Sequence, residues 1–225
     1  MKKILLILFY IPLIGYAQSN DCNNFAEFGD IKICLPEIPN MTECYSDPLI
    51  SLYADLLKGS DDEKILGIYL YNDVYESRYV NYENGMGDSF IKIYSTNTLE
   101  GIKTDEEVLD YLSQYIIEAF EDFDKSELKS KINNRFDEID VPLSLEKPIL
   151  LEEYKLSTKI RSYVVLLKYK TEEGNLIQIA TMNSMLIKDR IIFSAYYDEF
   201  KGFSQIDDIK AKSDYFSLKL LVENL

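Results

Sequence analysis

The side chains of this sequence that could break a bond are carboxylates. Glu152, Glu153, Asp198 and Glu199 border segments that read as strands, and two such acids about 5 to 9 Å apart make up the working pair of a glycosidase. Other mechanisms lack their parts. The chain has no histidine, which removes Ser-His-Asp and Cys-His nucleophile activation, His-based zinc ligation and the usual proton shuttle near neutrality. Its cysteines show no C-x-x-C spacing, so thiol redox and four-cysteine zinc sites are unsupported. There is no G-x-G-x-x-G or G-x-x-x-x-G-K-[ST]; NGMGDS, residues 84–89, is a turn signal without the lysine or the strand-loop-helix setting of a phosphate cradle. SDDEK (60–64) and DFDKSE (122–127) do not fit the calcium-loop pattern. The sequence therefore implies no metal and no cofactor. The absence of tryptophan also takes away the favoured sugar-stacking residue, so a carboxylate-dependent, glycosidase-like hydrolase is the alternative to a non-catalytic role.

A binding surface is the other chemistry on offer. YLYNDVYESRYVNY, residues 69–82, places Tyr69, Tyr71, Tyr75, Tyr79 and Tyr82 within one short stretch, a candidate aromatic surface. KILGIYLY before it alternates as a strand with both faces apolar, Ile65, Gly67, Tyr69 and Tyr71 against Leu66, Ile68 and Leu70, which places it centrally in a sheet. Asn72-Asp73 reads as a turn and VYESRYVNY as a returning strand, although Tyr71, Tyr75, Tyr79 and Tyr82 also recur near helical spacing. As strands, these segments divide the tyrosines between two faces.

Composition sets the destination and the partners. MKKILLILFYIPLIGYAQS combines two lysines, an apolar run and the small residues Gly15 and Ala17 before Gln18, the layout of a secretory signal peptide over residues 1–17 cut between Ala17 and Gln18. The run is shorter than the roughly 20 residues of a membrane span. Cys22 does not suit lipidation, since Asp21 stands where a small residue belongs and no leucine lies three positions before it. Expected, then, is a chain without a stable membrane anchor after cleavage, in the periplasm or outside the cell. Losing Lys2 and Lys3 leaves 22 basic against 39 acidic residues, a net charge of −17. Such a surface repels phosphate backbones, so nucleic acid is an unsuitable partner; a basic protein is a possible one.

Three cysteines in an oxidising compartment invite one pair. Cys34 and Cys44 flank the Pro-containing LPEIPNMTE and are the expected couple, with Cys22 left over; the competing reading keeps all three reduced.

These residues need positioning elements. FGDIKICLP reads as a strand. Asp47 and Pro48 cap a helix with Leu49, Leu52, Tyr53, Leu56 and Leu57 as its stripe, ended by Gly59. SFIKIYS returns as a strand. Thr104 and Glu107 form a capping box for a helix whose apolar face runs through Val108, Leu112, Tyr115, Ile116, Ala119, Phe120 and Phe123. Ser126, Leu128, Ile132 and Phe136 suggest a continuation, closed by Pro142 and Pro148. From residue 149, four long strands separated by EEGN and KDR predict an antiparallel meander, and residues 205–225 a closing helix capped by Ser204 or Ser213. With no linker or repeat, residues 18–225 read as a single α+β domain, an antiparallel sheet meander packed with helices.

An N-terminal strand with a Pro-rich turn, a central helix, a long meander and a closing helix such as KSDYFSLKLLVENL resembles the PsbP-like α/β/α fold of exported accessory proteins. The likeness spans residues 28–224 by element order, and the chain departs from it in lacking tryptophan and in a larger helical middle. It implies an accessory or binding role without catalysis. The expected function is accordingly an exported, soluble, non-catalytic module of the bacterial envelope, partnered by an unknown protein or small ligand.

Overall fold

One layer packs on each side of an antiparallel sheet. The computed structural model describes residues 22–80, 86–121, 144–145, 147–171 and 174–225. A hairpin of β1 (Phe25–Phe28) and β2 (Ile31–Cys34) leads to β3 (Met41–Glu43), α1 (Pro48–Leu56), β4 (Glu63–Tyr71), α2 (Asn72–Ser77), β5 (Phe90–Thr96) and α3 (Glu106–Glu121). Then come β6 (Ser144–Leu145), β7 (Ile149–Ser157), β8 (Ile160–Thr171), β9 (Gly174–Ile187), β10 (Arg190–Glu199) and the closing helix α4 (Ile206–Val222). The main sheet runs β3-β4-β5-β10-β9-β8, with β6 and β7 both on the outer edge of β8. This is the single α+β domain expected. None of the described helices is long and apolar enough to cross a membrane.

The meander follows directly from alternation and turn chemistry. Lys188 and Asp189 both adopt positive φ, 48° and 59°, the two-residue turn whose twist matches a hairpin, and Ile187 pairs with Arg190 across it. On this face α4 and the β1–β2 hairpin cover the sheet. Ile209, Phe216 and Leu220 of α4 pack with Phe28, Ile33, Tyr69, Val164, Ile179 and Ile192, each worth about 1.5 to 3 kcal/mol on burial. Under α4 lies a polar cluster, all of it buried. Asn183 Oδ1 accepts from Ser162 Oγ at 2.7 Å, and its Nδ2 donates to Ser213 Oγ at 2.9 Å and Ser194 Oγ at 3.2 Å. Ser213 is thus a mid-helix contact and not a cap; Gln205 occupies the cap position without a side-chain bond to the helix, its amide reaching Asp198 and Glu199 O instead. Serine's small side chain lets the helix lie close to the strands.

The opposite face carries α1 and α2 over β4, and α3 over β7, β8 and β9. Asp47 accepts from Leu49 N, and Pro48 opens α1, as the sequence implies. The helix is rotated from expectation, however: Ile50 and Ala54 face the sheet, while Leu52 and Leu57 are exposed, because Ala54 lets the backbone approach β4. In α3 the buried residue is Leu109, whereas Val108 and Tyr115 face outward. Its cap is Asp105, which accepts from Val108 N at 3.0 Å; Thr104 Oγ1 is buried without a partner. Phe123, Ser126, Leu128, Ile132, Phe136 and Pro142 lie outside the described residues.

Two further expectations change. FGDIKICLP is the turn and second strand of a hairpin, Gly29 taking φ 60° where a Cβ would meet Glu100 O at 2.6 Å. VYESRYVNY begins as helix α2 and not as a strand: helical spacing puts Val74 and Tyr75 onto the core beneath α1 and leaves Asp73 and Glu76 in water. In β4 the pairing to β5 skips Leu66. That bulge reverses the phase, so Leu66 joins Tyr69 on the α4 face and Ile65 joins Ile68 on the other.

The disulfide joins Cys22 to Cys34, Cα atoms 5.4 Å apart, and not Cys34 to Cys44. Cys34 sits at the end of α4, its backbone clamped by Asn224, while Cys44 lies buried beneath α1 on the other side of the sheet. Burial, with the charge of Glu43, pushes the Cys44 thiol up to about 12. Peptide mapping without reductant should find Cys22 linked to Cys34 and Cys44 slow to alkylate. Cys22→Ser should cost about 2 to 3 kcal/mol in urea unfolding, the loop-closure value for so short a loop; a loss below about 0.5 kcal/mol would contradict the pairing.

Candidate functional site

Strand pairing, and not the tyrosine-rich stretch, assembles an aromatic surface. On β5 the residues Phe90, Lys92 and Tyr94 alternate onto one face; on β10 so do Phe193, Ala195 and Tyr197. Antiparallel register sets them directly opposite, Phe90 against Tyr197, Lys92 against Ala195 and Tyr94 against Phe193. Both aromatic pairs stack, with ring centroids 4.6 Å and 5.4 Å apart, a geometry worth about 0.5 to 1.5 kcal/mol beyond area burial. Ala195 and Lys92, between the two pairs, are buried.

The described helices leave this floor between them. Among the described residues, α1 and α2 sit over β4 to one side and α3 over β7, β8 and β9 to the other, with β5 and β10 between. Tyr94, Phe193, Tyr197 and Met182 each retain partial exposure. Their surroundings are nonetheless dense: burial raises the phenols of Tyr94, Tyr169 and Tyr197 above the ordinary tyrosine value, with the charge of Glu63 adding to the first and last. Deep surroundings with an open side describe the bottom of a groove. At neutral pH these phenols are protonated and can donate.

One charge pair stands on the floor. Lys92 Nζ lies 2.8 Å from Glu63 Oε1 and 3.3 Å from Leu57 O, and 4.7 Å from the Tyr94 ring centroid. Glu63 Oε2 accepts from Gly59 N. Both side chains are buried, so the pair is satisfied and adds no net charge to the groove.

The candidate tyrosines do not gather on one surface. Tyr69 is buried under α4 and donates to Pro36 O at 2.9 Å. Tyr71 pairs with Tyr196, hydroxyl to hydroxyl at 2.8 Å. Tyr75 packs beneath α1, and Tyr79 is 63 % exposed. These last two serve a structural purpose: the Arg78 guanidinium lies 3.7 Å from the Tyr75 ring and 4.4 Å from that of Tyr79 and bonds Asp47, fastening α2 to the start of α1. Burial alone would raise the Asp47 carboxyl, but Arg78 and the Leu49 N–H hold it below its usual value. Tyr82 lies outside the described residues.

Nor do the candidate carboxylates converge. Glu152 is paired with Lys210, Asp198 accepts from Ser89 and Gln205, and Glu199 lies by Lys201. β7 and β10 are separated by β9 and β8, three strand spacings of about 4.8 Å each, beyond the separation a glycosidase pair needs. Adjacent residues such as Glu152 and Glu153 also point to opposite faces. Among the described residues no cluster of three acids or cysteines could hold a metal.

The F-x-K-x-Y and F-x-A-x-Y alternations of residues 90–94 and 193–197 were present in the sequence; their juxtaposition depends on β5 pairing with β10, which no local signal specifies. Compared with known proteins, the chain matches no family model, no curated protein and no solved structure.

Proposed function

We propose that this chain is an exported, non-catalytic binding module that holds an uncharged apolar ligand on the aromatic floor of the β5/β10 groove. The observation that carries the reading is the pair of stacked aromatic rungs between α1/α2 and α3, in which Tyr94, Phe193 and Tyr197 keep partial exposure while Phe90 is buried. Binding sites of this kind are apolar clefts with a few oriented polar groups, here the phenols of Tyr94 and Tyr197. The paired Lys92 and Glu63 favour a neutral ligand, and a net charge of −17 after loss of residues 1–17 disfavours polyanions. Export is supported by the layout of residues 1–17 and by a disulfide at Cys22–Cys34, a bond that persists in oxidising compartments. An accessory role fits the PsbP-like resemblance, with α4 on one face of the sheet and the remaining helices on the other.

Titrating Nile red, an uncharged apolar dye, into residues 18–225 tests the reading. Dye fluorescence should rise to saturation, and Tyr94→Ala or Tyr197→Ala should weaken binding roughly tenfold, about 1.4 kcal/mol. Tyr197→Phe, which keeps the ring, should retain dye binding, and Tyr79→Ala, remote from the groove, should leave it unchanged. Non-saturable binding, or equal affinity across these variants, overturns the proposal.

A further inference from the structure

The outer side of α4 carries an apolar seam that the fold does not use. Ala211, Tyr215, Leu218 and Val222, with Leu225 just past the end of the helix, follow at alternating intervals of four and three, the a/d spacing of a coiled coil. Tyr215 is 51 % exposed, Leu218 39 %, Val222 61 % and Leu225 76 %. The opposite side of the same helix buries Ile209, Phe216 and Leu220 against the sheet. A helix that is apolar on both sides is one that expects contacts on both.

We propose that the outer seam of α4 docks the same helix of a second copy of this chain, parallel, about a two-fold axis running along the pair. The flanking charges choose both the occupant and its direction. Asp207 and Asp214 border one edge of the seam, Lys212 and Lys219 the other. In a parallel pair the facing edges are offset by five residues, which sets Asp207 against Lys212 of the second copy and Asp214 against its Lys219. An antiparallel pair would oppose Asp to Asp and Lys to Lys. In the single chain Lys212 pairs with Asp208, Lys219 donates to Glu37 O and lies 3.9 Å from Glu223, and Asp214 accepts from the Tyr154 hydroxyl at 2.7 Å; exposed pairs such as Lys212–Asp208 are worth little and can exchange partners, which makes Asp207 against Lys212 of the second copy the pair that directs the docking. The seam is short, but α4 is already fixed on the sheet, so docking bears no cost of ordering the helix.

Sedimentation velocity on residues 18–225 is expected to show a concentration-dependent dimer. Leu218→Glu with Val222→Glu changes only exposed side chains, so the melting midpoint of dilute protein should hold while dimerisation weakens at least tenfold. Direction is read separately: under oxidation Tyr215→Cys and Val222→Cys should each cross-link to itself, because only a parallel pair places both positions opposite their own copies. A protein that is monomeric at every concentration, a dimer that survives the double substitution, or cross-linking at one of the two positions alone overturns the proposal.

Discussion

Raising the pH above about 10 is expected to unfold this protein within one to two pH units, well before its surface lysines have all discharged. Eight tyrosines, Tyr45, Tyr69, Tyr94, Tyr154, Tyr163, Tyr169, Tyr196 and Tyr197, have phenols raised above the ordinary value of 10.0, in every case chiefly by burial. The sign follows from which state holds the protons. Below the unfolded value both states are protonated and the stability is intact; above it the unfolded chain releases protons that the folded chain retains, so unfolding becomes progressively easier. Each buried phenol contributes up to about 1.4 kcal/mol per pH unit, and the half-buried Tyr45 and Tyr154 less, because solvent screens them. Set against a typical stability of roughly 5 to 15 kcal/mol, eight such groups suffice. The loss of far-ultraviolet ellipticity should coincide with the part of the phenolate absorbance change that belongs to these eight tyrosines. Complete, reversible phenolate formation in a chain that keeps its ellipticity would contradict this account.

The second large effect is expected at the groove floor. Glu63→Ala leaves the Lys92 ammonium buried, with Leu57 O and the Tyr94 ring as its remaining neighbours. Removing one partner of a buried pair typically costs about 3 to 5 kcal/mol, while replacing both by apolar groups of similar size can be nearly neutral. The single variant should therefore be far less stable in urea than Glu63→Leu combined with Lys92→Met. Equal losses in the two would mean that packing, and not the stranded charge, decides the outcome.

The parts of the fold that were legible in the sequence are those decided locally. Asp47-Pro48 starts α1 because a cap and a ring-locked φ act on their immediate neighbours. The strands from residue 149 show because each alternates over many residues, and Lys188-Asp189 turns between two of them. Where two local signals competed, the sequence was ambiguous: in VYESRYVNY aromatic content favours strand, yet Val74 and Tyr75 gain burial under α1 only as a helix. The skipped Leu66 and the partner of Cys34 are decided at long range. The first depends on β5 alongside β4; the second depends on Cys34 and Cys44 reaching opposite faces of the sheet.

The candidate site was hidden for the same reason. The tyrosines that stand out by density, from Tyr69 to Tyr79, act in packing and in holding Arg78. Those that floor the groove, Tyr94 and Tyr197, are more than a hundred residues apart in the chain. A sheet brings together what its register aligns, and register between distant strands is set by the whole fold.

Whether these stacked rungs receive a ligand can be seen directly. The most direct measurement is a crystal structure of residues 18–225 with bound Nile red. The dye's ring system should lie against Tyr94, Phe193 and Tyr197, the partly exposed rings of the two pairs; dye bound elsewhere, or a groove closed by the chain's own side chains, would show that the rungs receive no ligand.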